Sequence, residues 1–124
     1  LPGDNSGDNS NNSTTTWITT KSPVFTAPAN GWYRFDAGFN VVVDTNGTTA
    51  TMALMVDATA ARIQNATGNS GWFMPISIRS TLQLTTGQKV TIGYRPTTSG
   101  RNVSLVNSNS IIPLILVQEV DAPS

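Results

Sequence analysis

The chain has 124 residues, 7 acidic and 7 basic side chains, and only 11% charged residues in all. That length fits one domain with a modest core, and the sparse, balanced charge offers no basic field for nucleic acid or an anionic membrane. Cysteine and histidine are both absent, which excludes disulfide stapling, a thiol nucleophile and the usual soft metal ligands.

In chain order, Gly3, Asp4, Asn5 and Ser6 repeat at once as Gly7, Asp8, Asn9 and Ser10, and a run of Asn, Ser and Thr carries on to Thr16. Such a stretch buries no apolar area, so residues 1–16 read as a flexible polar linker. Its period of four is not the three of a collagen helix. The start at Leu1 rather than Met reads as a fragment of something longer. Residues 17–121 are the expected folded domain and 122–124 a short tail.

Within the domain, residues 17–20 and 24–26 are short apolar pieces broken by Pro23 and Pro28. Asn30 and Gly31 mark a turn, on the expectation that Gly31 takes positive φ. From there Tyr33, Phe35, Ala37, Phe39, Val41 and Val43 recur every second residue, with Trp32, Arg34, Asp36, Gly38 and Asn40 in the opposite phase. This period describes one long strand with a core face and a wet face. Asn46-Gly47 signals a tight turn, followed by a strand at 48–57, a short piece at 62–64 and a loop at 65–71. Strands are expected at 73–84, 89–95, 101–106 and 111–120. Pro113 places the proper start of the last one at Leu114. Many short strands with frequent turns and no helical period argue for an all-β, two-sheet antiparallel sandwich.

Two strands differ from the rest. Met52, Leu54 and Val56 are interleaved with Ala53 and Met55, and Leu114 and Leu116 with Ile115 and Val117. A strand apolar in both phases must bury both faces. In a chain this small the expected cover is a second copy, the alternative being depth within a single copy's own core; the first makes Met52, Leu54, Met55, Leu114, Ile115, Leu116 and Val117 candidate self-interface residues.

Catalytic patterns are lacking. No histidine is available to activate a Ser or Thr, and Glu119 is the sole glutamate. Asp36 falls on a solvent-facing strand position and Asp44 on a turn. Asp44 to Gly47 starts like a calcium loop but no acidic residue closes it. The reading is a non-enzyme with no cofactor and no metal. Binding is the remaining option. Trp32 in the wet phase, Trp72 after the loop that carries Asn69, and Asn107 and Asn109 in a polar turn are candidate receptor-binding residues. An aromatic face beside amides suits sugar rings and hydroxyls.

Phe25, Gly31, Tyr33 and Phe35 spell F-x5-G-x-Y-x-F, which resembles the signature of C1q-type heads within the TNF-like jelly-roll group. Ala37 departs from the aromatic that ends that signature, and Gly7, Ser13 and Ile18 depart from its first half. The resemblance implies a jelly roll that assembles as a homotrimer, its inner sheet around a threefold axis; that sheet includes the third and last strands, counted here as the two doubly apolar ones. Heads of this kind occur on stalked bacterial proteins, animal cytokines and viral spikes. The surface rich in Thr, Asn and Ser looks most like the C-terminal head of a bacteriophage vertex spike or fibre. That resemblance implies attachment to a host cell-surface receptor, a glycan or envelope component, from the virion surface. The alternatives are a structural trimerisation cap on a stalked surface protein, or a secreted lectin or cytokine-like ligand.

Overall fold

The computed structural model describes residues 11–12, 16–19, 22–71, 73–97, 100–106 and 114–121. Among them are nine strands and no helix: β1 (Asn11–Asn12), β2 (Phe25–Thr26), β3 (Gly31–Val43), β4 (Thr48–Val56), β5 (Thr59–Gly68), β6 (Phe73–Leu84), β7 (Lys89–Pro96), β8 (Val103–Val106) and β9 (Leu114–Val120). One sheet runs β1-β8-β3-β6, with β9 also paired to β3, and the other runs β2-β7-β4-β5. Every pairing is antiparallel.

The long strand read from the period-2 pattern is the spine of the first sheet. β6 pairs with it from Gly31↔Leu84 to Val42↔Phe73. On its other side β9 pairs with residues 32–38 and β8 with residues 40–43, so only Phe39 separates the two strands along that edge. Tyr33, Phe35, Ala37, Phe39, Val41 and Val43 are all buried, as the alternation requires. Facing them across the interior are Ala50, Met52 and Leu54 of β4 and Val90, Ile92 and Tyr94 of β7.

The F-x5-G-x-Y-x-F residues act as a staple between sheets. Phe25 belongs to the four-stranded sheet and Tyr33 and Phe35 to the five-stranded one. The Phe25 ring meets both edge-on, at centroid distances of 5.4 and 5.7 Å, the geometry that aromatic quadrupoles favour. The Tyr33 hydroxyl donates to Ala29 O at 2.8 Å, tying down the turn before β3. Gly31 differs from expectation: it opens β3 and is not among the glycines with positive φ. The turn is held by Asn30, whose side-chain oxygen accepts from Thr86 N and the Thr86 hydroxyl. At Gly47 the expected positive φ is present, at 77°.

Three further expectations are corrected. The doubly apolar strands are not sheet partners, since β4 lies in the four-stranded sheet and β9 in the five-stranded one. β5 spans 10 residues and includes 65–68, which the sequence pattern reads as loop. Asn11 and Asn12, inside the expected linker, pair with Ser104 and Val103 as β1. Backbone pairing does not depend on apolar side chains, so composition does not reveal it.

Candidate interaction site

The outer face of the five-stranded sheet is built from the wet phases of three strands. β3 contributes Arg34, Asp36, Gly38 and Asn40, paired with Thr81, Arg79, Ser77 and Pro75 of β6. On the other side Leu114 pairs with Gly38 and Leu116 with Asp36. Leu114 is 38% exposed and Leu116 54%, an apolar pair on a face that is otherwise mostly polar. A trench of about 300 Å³ runs between this pair and Pro75, with Gly38 in its lining. A Cβ at Gly38 would stand 3.3 Å from Ile76 O, so glycine allows the two strands their close approach. Arg79 Nε lies 3.2 Å from Asp36 Oδ2 across the strands, a solvated ion pair of small energetic weight.

This face separates the candidate self-interface residues. Leu114 and Leu116 point outward, whereas Ile115 is fully buried and Val117 packs against the core. Met52 and Leu54 are core residues with no exposed surface to offer a partner. Met55 is buried on the opposite, outer face of the four-stranded sheet. There it meets the Trp17–Thr19 segment beside Gly93, as an added Cβ at Gly93 would touch Trp17 Cβ, Met55 Cγ and Thr19 Cγ2 at 3.3 to 3.4 Å. The second apolar phase of β4 is therefore covered by the same chain. β7 brings the small Gly93 opposite Ala53, which lowers the area needing cover.

The candidate receptor-binding residues do not converge. Trp32 is half-buried on the outer face between Gln83 and Val120, near the start of β3. Asn69 is exposed beyond the other end of β3, where Gly71 N donates to Val43 O. The span from Trp32 to Val43 is roughly 36 Å at strand rise. Trp72, Asn107 and Asn109 lie outside the described residues.

At Asn69 the loops lock one another. The Asn69 side-chain oxygen accepts from Gly47 N and the Asn46 side-chain oxygen accepts from Ser70 N. Arg101 donates to Asn46 O at 3.3 Å. Asn102 donates its side-chain amide to Asp44 Oδ2, and this bond above all holds the Asp44 carboxyl below its ordinary value of 3.8. A carboxylate favoured in its charged form in the fold stabilises the protein above its unfolded pKa and loses that contribution as pH falls through the folded one. Thermal melts across a pH series should therefore find Asp44→Asn slightly less stable than wild type at pH 7, the gap closing below pH 3.8. A gap that persists in strong acid would assign Asp44 another role. Sequence patterning finds the Asp44–Gly47 turn but not its partners, which arrive from 22 to 58 residues away.

Among the described residues no group of three His, Cys, Asp or Glu side chains could hold a metal ion. No family model matches the chain, and no curated protein matches it in sequence. Solved structures do match. The chain is similar to the Eiger TNF of S. frugiperda, with a TM-score of 0.64 over 99% of this chain and 92% of that one, at 13% identity. It is also similar to a region of infectious bursal disease virus, Gx strain, with a TM-score of 0.52 and 10% identity over all of this chain and 36% of that one. The two sheets and their order define a TNF-like jelly roll. Identities this low establish the fold and nothing finer.

Proposed function

We propose that this chain is the head of a viral spike or fibre, of the bacteriophage type, which assembles as a homotrimer and attaches to a host cell-surface receptor. The observation that carries the assembly is the exposed Leu114–Leu116 pair beside the trench on the five-stranded sheet. The TNF-like fold supports it, because the resemblance to TNF and C1q heads implies an inner sheet packed around a threefold axis. A neutral surface rich in hydroxyls and amides supports a glycan or envelope component as the receptor, and three copies multiply weak contacts through effective concentration. The role is binding rather than catalysis, carried out at the virion surface.

The test is competition. Purified head should block the parent particle from binding host cells, at concentrations where sedimentation finds the trimer. A stable trimer that fails to compete at saturating concentration would leave trimerisation and stalk capping as the function.

A further inference from the structure

A second cavity, of about 330 Å³, lies on the outer face of the four-stranded sheet, remote in the fold from the Leu114–Leu116 face. It is lined by Thr16, Trp17, Thr19, Met55, Asp57 and Ala58. Four observations give it the form of a built site. The segment carrying Trp17 is strapped to β7 by two backbone bonds, Ile18 N to Tyr94 O at 3.2 Å and Tyr94 N to Ile18 O at 3.1 Å. Gly93 leaves that strap room to lie flat, because a Cβ there would press on Trp17 and Thr19. The Trp17 ring is oriented by the Arg95 guanidinium, 4.0 Å from the ring centroid, an attraction that fixes the indole plane.

The fourth observation is Asp57. It occupies the first position of the two-residue turn between β4 and β5 with φ at 53°, the one described non-glycine residue with positive φ. Glycine is the residue that such a position accepts without strain. Aspartate there keeps a carboxylate at the cavity wall, with Oδ1 accepting from Lys89 N at 3.1 Å and its backbone N donating to Lys89 O at 2.7 Å.

We propose that this cavity is a saccharide subsite that takes a neutral sugar, with Trp17 as the apolar platform and Asp57, Thr16 and Thr19 as hydroxyl partners. The inference deepens the attachment reading and rests on it. An indole plane matches the C–H face of a pyranose, and a carboxylate beside it accepts from hydroxyls. The Arg95 guanidinium at the same ring offsets the Asp57 carboxylate, so the site has one charge of each sign and suits a neutral ring better than a phosphate or an acidic sugar. The volume is at the lower bound of ligand clefts, which suits about one or two rings rather than an extended chain.

The experiment uses the whole chain against a panel of neutral and sialylated oligosaccharides, followed by ligand-observed NMR titration of any hit. Wild type should bind a neutral glycan. Trp17→Ala should weaken it at least tenfold, and so should Asp57→Asn, which tolerates the same backbone and keeps the fold. Ile63→Ser, elsewhere on that face, should leave it unchanged. Binding of a neutral glycan with undiminished affinity by both variants overturns the subsite while attachment stands. A head that competes on cells but binds only sialylated glycans, or none, overturns the sugar class. Loss of competition by the wild type removes the attachment reading itself.

Discussion

Leu116→Arg should convert the assembled head into a folded monomer. Leu116 is 54% exposed and pairs with Asp36 across the sheet. An arginine there meets solvent and a carboxylate within its own chain, so the isolated fold tolerates it. In a symmetric assembly built on this face the same substitution brings one new cation per copy into a desolvated contact. Desolvating a charge costs several kcal/mol per ion, enough to shift an association constant by a factor of a thousand or more. Sedimentation should find a trimer for wild type and a monomer for the variant, with matching circular dichroism. A wild type that sediments as a folded monomer at working concentration would falsify the assembly reading.

The second large effect belongs to Phe35. Its side chain has no exposed surface, and its ring is met edge-on by Phe25 from the opposite sheet. β3 is paired on both sides at this position, with Ser80 and with Val117, so neighbouring backbone has little freedom to collapse into a cavity. Phe35→Ala should therefore fall in the upper part of the range for buried phenylalanine, about 3–5 kcal/mol, a large share of a total near 5–15 kcal/mol. Phe25 is only half-buried, and Phe25→Ala should cost less. The double variant should fall short of additivity by about 0.5–1.5 kcal/mol, the coupling of an edge-to-face pair. Urea melts would measure all three. A Phe35→Ala loss under about 1 kcal/mol would mean that the aromatic staple does not hold the sheets together.

Much of the fold was legible because β3 and β6 each have one wet face and one dry face, so alternation alone fixes their phase. β5 was read short because it is an edge strand with polar or small residues in both phases, such as Ala61, Asn65 and Ala66. Pairing with β4 shapes it, and that pairing leaves no periodic trace in its own sequence. The doubly apolar β4 was legible as a fact and misread as to cause. Its cover comes from residues 16–19, more than thirty positions upstream, and from the small Gly93 alongside. In β9 the two phases separate: Leu114 and Leu116 are exposed, while Ile115 and Val117 turn inward. Of the candidate binding residues, solvent phase located Trp32 correctly. No local pattern could place it and Asn69 at opposite ends of the sandwich. Trp17 passed as one member of a short apolar piece, because its significance depends on Arg95 and Asp57, both distant in sequence.

The end-to-end arrangement of β8 and β9 gives the fold a place to vary. Val106 and Leu114 are pinned to Asn40 and Gly38, two residues apart on one rigid strand, while seven residues of sequence, 107–113, join them. Each strand keeps its own register whatever the length of that junction. Loop-closure entropy grows only logarithmically, by about 0.6 kcal/mol for each doubling. A lineage could lengthen or rewrite this segment without renegotiating the sandwich, and an engineer could graft a peptide there on the same terms.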